Sequence, residues 1–310
     1  MKAWQKKNGR LALVDVPEPR VRADELLLAV EAVSLNRGEV RGAARAPDGQ
    51  TPGWDVAGTV IAPAAYGASP AAGTRIAALL DAGGWAERAA VPAVRAAVVP
   101  EAVETAVAAT LPIAGLTVLR TLALAEPLTA KRVLITGGSG GVGQFAIQLA
   151  AQGGAEVTAV SSRTAQHAAL ERLGARQVVT KIDDVAGPFG LVLESVGGVS
   201  LARAIELVGR EGIVVTIGNS SEQDTTFNAR TLYAKGAARI YGLIVFEEVA
   251  SGRIGARELE RLMQHVREGR LQAPIAFRRD WAALPEALGE LERREFAGKA
   301  VLTLSRTQGD

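Results

Sequence analysis

The sequence predicts an α/β chain of two domains, in which a domain of alternating strands and helices is inserted into a β-rich domain built from both chain ends. Three observations predict it. The first hundred or so residues are short apolar runs broken by Gly and Pro, strand-like and helix-like segments alternate from Arg132 to Leu243, and an apolar run at residues 300–304 has no partner near it in sequence. The length of 310 residues is long for one domain and comfortable for two.

Taken in order, the runs at 11–14, 25–32, 57–61, 75–80 and 85–91 alternate with turn residues, the mark of a barrel-like β domain. Residues 101–124 have helical patterning around Pro112 and Gly115, and Glu126-Pro127 opens a new unit. Strands are expected at 132–136, 156–160, 177–179, 191–193, 213–217 and 239–243, with helices at 144–152, 165–173, 200–207 and 226–235. Such βαβ units make a parallel sheet. Residues 250–310 hold two helical stretches and the final strand, which returns most simply to the N-terminal domain. The expected boundaries are 1–115 and 246–310 for the β-rich domain and 116–245 for the insertion.

Composition removes several function classes. Hydrophobic residues at 48% and charged ones at 22% describe a globular protein and not a disordered one. The net charge of +2 comes from scattered basic residues, so no nucleic-acid partner is expected. No apolar stretch is long enough for a membrane span and Met1 to Lys7 lacks a signal-peptide core, so the expected location is cytoplasmic and away from membranes. Cysteine is absent, and the two histidines, His167 and His265, stand far apart, so no metal site is expected.

The most informative stretch runs from Val133 to Gln144, where Gly138, Gly140 and Gly143 match G-x-G-x-x-G between an apolar strand and an amphipathic helix. A diphosphate must approach the bare amides at that helix start, where the helix dipole favours negative charge. Gly138, Ser139, Gly140, Gly141, Val142 and Gly143 are therefore candidate cofactor contacts, and Gly143 should let the helix pack on its strand, as in a Rossmann domain. A site for NADH would put a carboxylate at the tip of the second strand. Here that tip is Ser161-Ser162-Arg163-Thr164, and hydroxyls with a guanidinium suit a 2′-phosphate, so NADPH is the expected cofactor. Gly197, Gly218 and Asn219 fall at the ends of later strands, where a ligand lies in a parallel sheet.

Several motifs together resemble a known family. Ser34-Leu35-Asn36-Arg37-Gly38-Glu39, Pro52-Gly53-Trp54-Asp55-Val56-Ala57-Gly58, Leu111-Pro112-Ile113-Ala114-Gly115-Leu116-Thr117, Gly137 to Gly143, Glu194-Ser195-Val196-Gly197-Gly198 and Gly298-Lys299-Ala300-Val301 occur in the order seen in the zinc-free quinone oxidoreductase (zeta-crystallin-like) branch of the medium-chain dehydrogenase/reductases. The resemblance covers almost the whole chain. It implies a Rossmann domain inserted in a discontinuous GroES-like catalytic domain, NADPH between the two, and a homodimer formed along the edge at residues 238–246. It also implies Asn36 near the nicotinamide ribose and Thr117 on the nicotinamide side. The chain departs from many relatives at Glu39, where they carry aspartate, and at Arg41 and Gln166, which stand nearest to their tyrosines and lysine; residues 41–51 are also short.

Without metal ligands, the expected chemistry is hydride transfer from NADPH to an acceptor activated by its own conjugation, a quinone or an α,β-unsaturated carbonyl. That reaction asks mainly for orientation in a water-poor site, with the proton supplied by solvent. Glu39, Arg41, Tyr66 and Tyr241 are weak candidates for a proton donor, each more readily structural. A biosynthetic enoyl reductase for one secondary metabolite, and a non-catalytic NADPH-binding sensor or structural protein, remain alternatives.

Overall fold

The computed structural model describes residues 1–304. The chain divides into two units: residues 1–116 with those from Gly252 onward, and Thr117–Ser251 between them.

In the two-segment unit the strands are β1 (Lys2–Lys7), β2 (Arg10–Asp15), β3 (Glu25–Ser34), β4 (Asp55–Ala62), β5 (Arg75–Leu79), β6 (Arg88–Pro92) and β7 (Ala97–Val98), joined after the insertion by β14 (Ile275–Asp280) and β15 (Lys299–Thr303). Its helices are α1 (Arg37–Arg45), α2 (Thr105–Ala108), α9 (Ala256–Arg267) and α10 (Leu284–Glu292), and α3 (Pro112–Ala123) runs on into the inserted unit. β1 and β2 form a hairpin, and the main sheet has the order β14-β15-β3-β4-β5-β7 with β6 against β3. The closing strand thus returns to the N-terminal segment, β15 pairing antiparallel with β3 at Val301 and Ser34. β3 can lie at the centre because its side chains are buried on both faces, among them Leu26, Leu28, Val30 and Val33. Around it pack Trp4, Val56, Ile76, Trp85 and, from the far end of the chain, Leu284, Leu288 and Leu302.

The inserted unit holds β8 (Arg132–Ile135), β9 (Glu156–Val160), β10 (Gln177–Val179), β11 (Phe189–Glu194), β12 (Val208–Thr216) and β13 (Arg239–Gly242), with α4 (Gly141–Gln152), α5 (His167–Arg172), α6 (Gly198–Leu207), α7 (Ala229–Tyr233) and α8 (Val245–Ala250). The sheet has the order β10-β9-β8-β11-β12-β13, and every pairing in it is parallel. Its central strands are continuous apolar runs such as Leu191 to Leu193, as strands covered on both faces must be. The order reverses at β8, so the strand ahead of the glycine-rich turn stands at the topological switch point, where open α/β sheets bind ligands.

The second boundary lies six residues beyond the expected 245/246. Helix α8 stays with the inserted unit because Glu248, 3% exposed, takes Arg120 Nε at 2.7 Å on one oxygen and the Tyr241 hydroxyl on the other. Among the described residues no helix is long and apolar enough to cross a membrane.

Candidate cofactor site

β8 ends at Ile135, a turn follows, and α4 starts at Gly141 with Gly140 extended before it, at φ −75° and ψ 169°. The first amides of α4, those of Gly141, Val142 and Gly143, have no carbonyl a turn earlier in the helix to bind. A Cβ on Gly143 would lie 2.4 Å from Gly137 O and 2.8 Å from Gly138 Cα. The start of the helix therefore lies against the turn itself. A Cβ on Gly140 would meet only Gly137 O, at 3.3 Å. No other protein atom outside the neighbouring residues lies within 4 Å of that position, so the backbone at Gly140 is open to a ligand's approach. Gly137, at φ +63°, takes the left-handed conformation open to glycine. Gly138 N donates to Val160 O at 2.9 Å, binding the turn to the tip of β9, and Gln144 Nε2 closes on Ser139 O at 2.9 Å.

At the β9 tip the predicted trio separates by role. Ser161 is buried, 3% exposed, and its Oγ accepts from Arg163 N at 3.3 Å, while the His167 ring Nε2 lies 2.8 Å from its carbonyl and donates to it. Ser161 shapes the turn. Ser162 is exposed and Arg163 half-buried, and no carboxylate stands among them.

Three loops meet beside the turn. Ser195 N donates to Thr136 Oγ1 at 2.9 Å and Ser195 Oγ to Thr136 O at 3.2 Å, joining the ends of β11 and β8. Ser220 N donates to Ser195 O at 3.2 Å and Ser221 N to Val196 O at 2.8 Å, bringing in the loop after β12. Gly197, at φ +77°, has no room for a side chain, since its Cβ would lie 2.1 Å from Asn219 Oδ1. Gly218 and Asn219 are exposed at the same end of the sheet. Glu194, at the foot of these loops, is 0% exposed. The sequence analysis used it only as part of a motif, although an acid closing the apolar run Phe189 to Leu193 was a visible signal.

Of the other predicted residues in this unit, Thr117 is buried on α3, its carbonyl accepting from Thr121 Oγ1 at 2.8 Å. The Tyr241 hydroxyl donates to Glu248, which also holds Arg120, so its proton is committed to a structural contact.

The two-segment unit contains a second polar cluster. Lys299 Nζ, from β15, donates to Asn36 Oδ1 at 2.6 Å and to Asp55 Oδ2 at 3.1 Å. Asn36 Nδ2 donates to Asp55 Oδ2 at 2.8 Å and to Glu39 Oε2 at 3.0 Å. Glu39 also accepts from Asn36 N at 2.7 Å and Trp54 N at 2.8 Å, and Asp55 Oδ1 accepts from Ile113 N at 2.8 Å, at the start of α3. Both polar atoms of the Asn36 amide are engaged inside the protein. Burial, and then the charge of Asp55, push the Glu39 carboxyl up to about 8. Glu39 thus holds its proton at neutral pH, and Lys299 is left to balance Asp55, which burial also pushes up against the pull of Lys299. At 1% exposure Glu39 is sealed from any acceptor in solution, which removes it as a proton donor. Arg41 lies half-buried on α1, and Tyr66 is 76% exposed.

Comparison with known proteins fits this geometry. A family model described as zinc-binding dehydrogenase matches residues 141–264. The chloroplast envelope quinone oxidoreductase homolog of Arabidopsis thaliana is 35% identical over 202 residues, which make up 60% of this chain and 60% of the plant protein. The solved quinone oxidoreductase from Coxiella burnetii superposes at a TM-score of 0.84 with 27% identity, covering 98% of this chain and 99% of that one. In sequence and in fold the chain is similar to quinone oxidoreductases, and it spans about 60% of the length of the plant relative. An Escherichia coli quinone oxidoreductase solved in complex with NADPH, 22% identical, shares the fold of this chain at a TM-score of 0.86 over 97% of this chain and 99% of that one. The word zinc in the family description meets a chain with no cysteine and two histidines. Among the described residues no group of three or more His, Asp or Glu side chains is placed to hold a metal ion.

Proposed function

We propose that the chain is an NADPH-dependent oxidoreductase that delivers a hydride to a quinone or an α,β-unsaturated carbonyl without a metal. The observation that carries this reading is the turn from Gly137 to Gly143, whose open side over Gly140 faces the free amides at the start of α4. Those amides bind the diphosphate, with the helix dipole behind them. Ser162 and Arg163 take the 2′-phosphate at the β9 tip, where an NADH site would carry an acid. Bound NADPH supplies the hydride at its nicotinamide C4. The protein contributes orientation and the exclusion of water. Proton delivery falls to solvent: Glu39 is sealed and Tyr241 is committed to Glu248. Conjugation in the acceptor takes the place of a Lewis acid.

We further propose a homodimer formed along β13, the outer strand of the parallel sheet, where Ile240 is 37% and the neighbouring Ile244 62% exposed. The direct test of the function is NADPH and NADH oxidation with a panel of quinones and enones. Turnover preferring NADPH is expected, and cofactor binding with no acceptor reduced would replace this reading with that of a sensor.

A further inference from the structure

Glu194 is fully buried at the C-terminal tip of β11, yet no Lys or Arg among the described residues pairs with it. Its four partners are neutral donors. Oε1 accepts from Val196 N at 3.0 Å, Ser200 Oγ at 2.9 Å and Thr136 Oγ1 at 3.2 Å, and Oε2 accepts from Gly197 N at 2.9 Å. A buried carboxylate is tolerated only where such bonds replace its water, and removing one leaves a costly unsatisfied charge.

The consequence for the loop is chemical. The amides of Val196 and Gly197 point down at Glu194, the amide of Ser195 points at Thr136 Oγ1, and the Ser195 hydroxyl donates to Thr136 O. No backbone donor from Ser195 to Gly197 is left for a ligand. What remains is acceptor capacity: lone pairs on Ser195 Oγ and second lone pairs on the carbonyls of Ser195 and Val196. Acceptors without a free amide among them oppose a phosphate and favour a donor.

We propose that Glu194 is a positioning residue for the cofactor, holding the β11 loop as an acceptor surface that receives the hydroxyl and carboxamide donors of the nicotinamide half while excluding its phosphates. This rests on the NADPH reading given above. Sheet order supplies the direction: with the 2′-phosphate at the β9 tip and the diphosphate at the β8 turn, the rest of the dinucleotide continues toward β11. The glycine-rich turn, which has free amides, and the β11 loop, which has none, thereby divide anion from donor recognition.

The experiment is titration of the full-length protein and of Glu194→Gln with NADPH and with adenosine 2′,5′-bisphosphate, which lacks the nicotinamide half. The amide places an NH2 among four donors, so NADPH affinity should fall about tenfold or more. Affinity for the bisphosphate should not change. At saturating NADPH, kcat should fall by a smaller factor than KM rises. Ser200→Ala, which removes one bond without adding a donor, should show the same selectivity at smaller amplitude and decides the matter if the Gln variant does not fold. Unchanged NADPH affinity in the folded variants, or a parallel loss of both ligands, would overturn the assignment of Glu194. Failure of the wild type to bind either ligand would instead overturn the cofactor reading beneath it.

Discussion

The two units each bury a carboxylate completely, but Asp55 in the two-segment unit leans on a lysine 244 residues away, whereas Glu194 in the inserted unit is held by neutral donors, three of them within six residues. The difference teaches what each cluster is for. An ion pair between β4 and β15 fastens the two ends of a discontinuous unit, and Asp55 adds the start of α3 through Ile113 N. Local donors around Glu194 fasten nothing distant except Thr136 on the next strand, and they set the shape of one loop. The first cluster should therefore govern stability and the second ligand affinity.

The largest effect is expected from Lys299→Met, which leaves Asp55 buried with its cation removed and should cost about 3–5 kcal/mol in urea unfolding. A loss below about 1 kcal/mol would break the comparison on the side of the ion pair. Next comes the pH dependence of stability. Glu39 keeps its proton in the folded state up to about 8 but loses it in the unfolded state near its ordinary value of 4.5, so the folded state binds more protons between those limits. Its contribution is complete below about 4.5 and is lost as pH rises through about 8, a slope on the order of a few kcal/mol in all. Unfolding free energies at several pH values should show that decline in the wild type and a flatter profile in Glu39→Ala; equal slopes would remove Glu39 from the cluster's titration. The smallest effect is Tyr241→Phe, which removes one bond to buried Glu248, with about 1–2 kcal/mol lost and turnover retained. A collapse of kcat at unchanged stability would restore Tyr241 as a proton donor.

Much of the architecture was legible. The β9 span is the one expected from the sequence, and the return of the final strand to the N-terminal segment follows from its lack of any nearby partner. The helix expected at 226–235 is only Ala229–Tyr233, because Asn228 caps it by accepting from Arg230 N and Gly236, at φ +66°, ends it. β1 went unmarked, since Lys2, Gln5, Lys6 and Lys7 interrupt its apolar pattern, and it is held by pairing with β2. In the site, the glycine-rich turn was visible because its constraint is local. The clusters around Asp55 and Glu194 were not, because sequence shows an acid but not whether a lysine 244 residues later or two backbone amides will meet it.

Calorimetric titration of NADPH into the wild type and Gly140→Ala tests the central claim most directly, because the added methyl meets only Gly137 O at 3.3 Å and the backbone at φ −75° accepts any L-residue. The account predicts binding by the wild type and a loss of about tenfold or more in a variant that unfolds at the same denaturant concentration. Equal affinity in the two proteins would contradict it.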